Sequence, residues 1–96
     1  MDDAEYALRM EIIATCREMD RRGINQGTSG NIGVRWREGM LITPSGLGYD
    51  SMAAEDIIFM AMDGTPTGPH NPSSEWRFHR DILRKRADVN AVVHAH

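Results

Sequence analysis

Four short stretches of this sequence carry side chains that could do chemistry together. The segment VNAVVHAH, residues 89–96, places His94 and His96 two apart at the end of an apolar run. On a strand, residues i and i+2 face the same side, so this pair would present both imidazoles to one face and leave Val93 and Ala95 on the other. That arrangement suits a shared metal ion. It equally suits hydrogen-bonded core histidines, because H-x-H alone is a common pattern. The segments TSGN (28–31), TPSG (43–46) and PSSEW (72–76) each join small hydroxyl or amide side chains to glycine or proline. Such loops can cradle an anion with backbone N–H groups and hydroxyls, and they are also what ordinary turns are made of. The stretch GTSGNIG has the spacing G-x-x-G-x-x-G and precedes a strand, whereas a dinucleotide fingerprint is G-x-G-x-x-G and opens a helix.

These stretches must be held by the elements between them. From Asp3 to Arg22 the apolar residues Leu8, Ile12, Cys16 and Met19 recur at helical spacing, and Gly23 follows where a C-terminal cap belongs. NIGVRW and MLIT have strand character with a turn-like REG between them, which predicts a hairpin entered through a glycine-rich loop. SMAAEDI allows one helical turn, and IIFMAM reads as a short strand that stops at Asp63-Gly64. TPTGPHNPSS holds three of the four prolines and is expected to be loop throughout. Ser73 or Ser74 can cap a following helix on which Trp76, His79 and Leu83 fall at i, i+3 and i+7, before the strand AVVHAH. Trp76, Phe78 and Ile82 are expected in the core. His70 in the proline-rich loop and His79 on the helix are expected to be exposed or packed rather than ligating. Helices alternate with strands, and the early strands are close enough to pair. An α/β fold follows, with a mixed or antiparallel sheet and helices packed on it.

Composition sets the remaining bounds. Ninety-six residues make one domain at most, and 41% hydrophobic with 26% charged residues is ordinary soluble globular usage. Lys and Arg number 11 against 14 Asp and Glu, so no extended basic footprint for nucleic acid is present. Within RFHRDILRKR, residues 77–86, Arg80 and Arg84 are spaced i,i+4 but so are Asp81 and Lys85, the pattern of a solvated helix face. The single Cys16 cannot form an internal disulfide, and the acidic MDDAEY start lacks a signal peptide's features. A cytoplasmic protein is expected. No run approaches the ~20 apolar residues of a membrane helix, so no membrane partner is expected.

Taken in order, TSGN, ITPSG, PSSEWRFH and VNAVVHAH resemble the class II aldolase/adducin family, and within it the fuculose-1-phosphate aldolase branch. The resemblance runs from Gly23 to His96. It implies a three-layer α/β/α sandwich around a mainly antiparallel sheet, and a zinc ion held by His94, His96 and a later histidine. It further implies a phosphate site at Ser29, Gly30, Asn31, Ser45, Gly46, Ser73 and Ser74, with Glu75 as the catalytic acid/base. The family's sugar-phosphate 4-epimerases typically have Asp at that last position, so Glu75 followed by Trp76 leans towards aldolase. The implied reaction is reversible cleavage of a sugar 1-phosphate to dihydroxyacetone phosphate and an aldehyde. Tyr49 and Asp50, in GLGYD, would border the substrate entrance without an assigned role. An epimerase, dehydratase or decarboxylase of the same family, or a non-catalytic adducin-like assembly module, are the alternatives.

These residue types fit that chemistry. Breaking a carbon–carbon bond beside a ketone leaves an enediolate, and a divalent cation held by neutral imidazoles stabilises such charge as a Lewis acid. A nearby carboxylate can move a proton to or from the carbon beside the carbonyl. Glu75 could also be no more than a first-turn residue favouring a helix dipole, worth about 0.3–1 kcal/mol. Anchoring the phosphate would orient the reacting carbons. A catalytic zinc site normally has three protein ligands, and the later histidine that the resemblance implies would follow His96. Residues 1–96 are therefore expected to be the N-terminal portion of a single class II aldolase-like domain. By resemblance, that domain works as a homo-oligomer, a tetramer, whose active sites lie near a subunit interface.

Overall fold

The computed structural model describes residues 1–24 and 30–95. The first helix, α1 (Asp3–Arg21), is fixed at both ends. The Asp2 carboxylate accepts from the Glu5 N–H at 2.8 Å, and Asp3 and Glu5 sit at the positive end of the helix dipole. At the other end, Gly23 takes φ +69°, its N–H reaches the Asp20 carbonyl, and the Ile24 N–H reaches the Met19 carbonyl. These two bonds make a Schellman cap, which requires the left-handed conformation that glycine adopts without strain.

The hairpin forms between β1 (Asn31–Trp36) and β2 (Gly39–Ile42), turning through Arg37 and Glu38. Two 3-10 turns, at Tyr49–Ser51 and Ala54–Asp56, lead into β3 (Ile58–Ala61). The proline-rich segment is not loop throughout. Pro66 and Thr67 form β4, opposite Met60 and Phe59 of β3. A proline is tolerated there because β4 is an edge strand, where a missing N–H need not break a ladder. After α2 (Trp76–Lys85), β5 (Ala91–His94) pairs with β1. The sheet order is β4-β3-β2-β1-β5, and every pairing is antiparallel.

Alternate residues of these strands feed two separate hydrophobic clusters. Ile32 and Leu41, with Val34 and Phe59 at its margin, join Ile12, Ile13, Cys16 and Met19 of α1 and the residues Tyr49, Met52 and Ile57. Met40, Ile42, Ile58, Met60 and Val92 join Leu83 of α2, with Trp76 and Ile82 at the margin. The period of two along a strand therefore directs one face to each helix.

Arginines tie the irregular parts to the helices. Arg9 lies on the buried face of α1, pairs with Glu5, and donates to the carbonyls of Ala54 (3.0 Å) and Ile57 (2.5 Å). Arg17 does the same for Tyr49 and Met52. Arg35 of β1 donates to the Leu83, Arg86 and Val89 carbonyls, satisfying acceptors that the end of α2 leaves open.

Candidate active site

The site lies where the α2 face of the sheet meets the start of α2. Gly33 of β1 stands opposite Val92, and Asn31 stands opposite His94. By alternation Asn31, Gly33, Val92 and His94 share the face on which Val92 packs towards α2. Alternation holds within β5, where Val92 is buried and Ala91 and Val93 are exposed on the opposite face.

Glu75 reaches this face from the α2 side. It occupies the cap position of α2, but its side chain makes no capping hydrogen bond. The carboxylate Oε2 instead meets Nδ1 of His94. Neither serine is the cap residue. The Ser73 hydroxyl accepts from the Glu75 N–H at 3.3 Å, and the Ser73 carbonyl accepts from Trp76, forming a turn immediately before the helix. That turn frees the Glu75 carboxylate from capping and directs it to the sheet.

Beside this pair is a cleft lined by Gly30, Asn31, Pro44, Ser45, Gly46, Ser73, Ser74 and Glu75. Three loops meet there, and backbone bonds hold two of them together. The Ser73 N–H reaches the Thr43 carbonyl, the Ser45 N–H reaches the Asn71 carbonyl, and Pro44 bridges to Pro72. Gly46 has φ +72°, a conformation that keeps the second loop tight and that side-chain-bearing residues rarely adopt. The third loop is pinned from the other face of the sheet, where the buried Tyr49 hydroxyl donates to the Gly30 carbonyl at 2.8 Å. Burial pushes that hydroxyl up to about 12, so it remains a donor across the neutral range.

Of the residues singled out in the sequence, Gly30, Asn31, Ser45, Gly46, Ser73, Ser74 and Glu75 line this one cleft, and His94 touches Glu75. Ser29 and His96 lie outside the described residues. Phe78 is not in the core. It is 52% exposed and leans over His94, with ring centroids 5.6 Å apart. Trp76 and Ile82 are only part-buried, and Trp76 lies close enough to the Asp63-Gly64 turn that a Cβ on Gly64 would come within 2.8 Å of its ring. His79 is packed, fully buried, with Nε2 bonded to the Asn31 Oδ1. Sequence reasoning assigned no role to Tyr49, and no local signal would have done so, since its partner lies 19 residues away.

The site's donor chemistry fits a divalent cation such as zinc, which takes imidazole nitrogen and carboxylate oxygen. Among the described residues no group of three such donors is present, and beside the cleft His94 meets Glu75. Residues 10–96 match the Class II Aldolase and Adducin N-terminal domain, and the chain belongs to that family. It is 49% identical over 96 residues to a 5-methylthioribulose-1-phosphate/5-deoxyribulose-1-phosphate aldolase of Rhodospirillum rubrum, covering all of this chain and 43% of that protein. It is also 49% identical over 89 residues to an L-fuculose phosphate aldolase of Escherichia coli K12, covering 93% of this chain and 41% of that one. A solved L-fuculose 1-phosphate aldolase superposes with a TM-score of 0.89 at 32% identity, over 100% of this chain and 46% of its own. The chain thus spans less than half the length of the relatives it matches. Among the described residues no helix is long and apolar enough to cross a membrane.

Proposed function

We propose that this protein is a zinc-dependent class II aldolase that reversibly cleaves a sugar 1-phosphate to dihydroxyacetone phosphate and an aldehyde. On this reading, residues 1–96 form the N-terminal portion of one α/β/α domain. The observation that carries it is the meeting of Glu75 with His94 at the edge of a cleft walled by Gly30, Ser45, Gly46, Ser73 and Ser74. His94, His96 and Glu75 would stand at the metal, and a bound cation would supply Lewis-acid stabilisation of the negative charge that develops as the carbon–carbon bond breaks. Ser45, Ser73, Ser74 and the glycine N–H groups would hold the phosphate, so that binding energy remote from the reacting carbons orients them. Glu75 would deliver a proton to the carbon beside the carbonyl in cleavage and remove it in condensation. Its place between the serine turn and His94 suits that task, because the same loop that grips the phosphate positions the carboxylate.

The test is turnover and metal content of the Glu75→Gln variant in the full-length protein, since residues 1–96 alone are expected to be inactive. The amide keeps the shape and removes the base, so kcat on L-fuculose 1-phosphate should fall by roughly 10² to 10⁴ with zinc still bound. Unchanged turnover at full metal content would reduce Glu75 to a helix-start residue. The Rhodospirillum relative favours a second substrate, 5-methylthioribulose 1-phosphate, and the ratio of kcat/KM for the two sugars decides between them. Consumption of a sugar phosphate without release of dihydroxyacetone phosphate would instead indicate an epimerase.

A further inference from the structure

One buried titratable group stands outside the chemistry assigned so far. His79, on the first turns of α2, is 0% exposed, and its Nε2 bonds to the side-chain Oδ1 of Asn31, which is itself 5% exposed and lines the cleft. We infer that His79 is a positioning residue: it donates its Nε2–H to the Asn31 oxygen and thereby turns the Asn31 amide N–H groups towards the cleft and an oxyanion bound there. This rests on the reading that the cleft takes a substrate phosphate.

The two ends of an asparagine side chain are nearly alike in shape and opposite in hydrogen-bonding character. An anion in the cleft is attracted by the NH2 end and repelled by the oxygen. Something must therefore choose between the two orientations, and a neighbour that can only donate does so. His79 meets that condition because of what surrounds its other nitrogen. Nδ1 is buried with no hydrogen-bond partner among the described residues. It lies against Gly33, so close that a Cβ there would stand 2.9 Å from Nδ1 and 3.1 Å from the ring carbon beside it. A proton on Nδ1 would find no acceptor. The neutral ring with its proton on Nε2 is the state this environment selects, and that state is a donor towards Asn31. Flipping Asn31 would force the proton to Nδ1 and leave it unsatisfied. Gly33 contributes by leaving room for the ring, and the β1–β5 pairing places Asn31 opposite His94. The amide is thereby fixed relative to both the phosphate loops and the Glu75–His94 pair.

The experiment has two arms. Nitrogen NMR on the wild-type protein labelled in histidine and asparagine reads the imidazole tautomer and the protection of the Asn31 amide protons. We expect Nε2–H and a single slowly exchanging amide orientation, and a proton on Nδ1 would overturn the proposal. The second arm measures inorganic phosphate affinity and the kinetics of L-fuculose 1-phosphate in His79→Leu and His79→Gln. Leucine removes the donor, and phosphate affinity should drop and KM rise by roughly ten- to a hundredfold at unchanged zinc content, with kcat affected less. Glutamine can donate from its own amide and should restore most of the loss. A folded His79→Leu protein with wild-type phosphate affinity would overturn the proposal, as would failure of glutamine to recover anything that leucine loses. Should wild-type protein bind no phosphate at these loops, the phosphate reading of the cleft falls. The tautomer measurement would then show separately whether His79 still orients Asn31.

Discussion

The two faces of the sheet are drawn from alternate residues of the same strands, and they are used differently. On the α1 face, Ile32, Leu41 and Ile57 meet Ile12, Ile13, Cys16 and Met19 in an apolar cluster. Its charged side chains, the buried Arg9 and the part-buried Arg17, donate to backbone carbonyls of the segment between β2 and β3. On the α2 face, Met40, Ile42, Ile58, Met60 and Leu83 form a comparable cluster, but at the β1–β5 end it gives way to Gly33, Asn31, His79 and His94. Along β1 the change is visible one residue at a time: Ile32 and Val34 go to the apolar side, Asn31 and Gly33 to the other. The sheet is thus secured from one face while the other forgoes some apolar packing to hold a polar constellation. Burying polar groups is costly unless each finds a partner, so this end should be the more sensitive to small changes in fit.

A matched pair of cavity-forming substitutions tests that division most strongly. Ile13→Ala on the α1 face and Leu83→Ala on the α2 face each remove a side chain at most 1% exposed, and each should cost about 2–5 kcal/mol in urea unfolding. They should part company in function. Leu83 lies one turn after His79 on the same helix, so its truncation should also raise KM for the proposed sugar phosphate substrate. The folded fraction of Ile13→Ala should retain wild-type kinetics. Equal effects on KM would mean that the α1 face is coupled to the site as tightly as the α2 face.

Much of the α1 face was legible in the sequence because it obeys one rule at a time. The apolar spacing of Leu8, Ile12, Cys16 and Met19 with Gly23 as stop specifies α1, and alternation around a short turn specifies the hairpin. Arg9 was legible in principle, since Arg9, Ile12, Ile13 and Cys16 share helical spacing and an arginine on an apolar stripe must find buried acceptors. On the other face the residue types of the loops announced a polar site, and Glu75 and His94 do meet. The His79–Asn31 pair was not legible, because its members are 48 residues apart and meet only through the β1–β5 register and the seat of α2. β4 was hidden by Pro66 and the prolines that follow it, residues that usually mark loops but are tolerated at a sheet edge. Phe78 shows the limit of spacing alone: it is apolar and one turn from Ile82, yet it is half exposed, with its ring against that of His94.

A smaller effect should distinguish the faces by pH. Because burial lowers the folded-state pKa of His79 to about 4 from 6.5, falling pH protonates the unfolded chain before the native one. The contribution of the neutral ring is complete above pH 6.5. It is lost as pH falls from there towards 4, with a slope of up to about 1.4 kcal/mol per pH unit. Unfolding free energies from urea titration at pH 7 and pH 5 should therefore differ by at most about 2 kcal/mol from this group, and His79→Gln should flatten the difference. Nearby Glu75 opposes the shift and His94 adds to it, so the slope should also respond to Glu75→Gln. A wild-type slope that survives His79→Gln unchanged would place the acid sensitivity elsewhere.

The smallest effect belongs to a place that serves neither face. Arg37, first in the two-residue hairpin turn, has φ +51°, the left-handed region that favours glycine. Its guanidinium lies 5.1 Å from the Trp36 ring centroid and pairs with Asp2, but both contacts are at the surface, where such interactions contribute little. Arg37→Gly exchanges those contacts for relief of backbone strain worth about 1 kcal/mol, partly offset by glycine's greater freedom in the unfolded chain. The expected result is a change in unfolding free energy within about 1 kcal/mol of zero, with kcat, KM and phosphate affinity all unaltered. A kinetic change at this tip, which lies at the opposite end of β1 from Asn31, would mean that strain in the turn is transmitted along the strand to the cleft. The independence of the polar end from the rest of the sheet would then have to be given up.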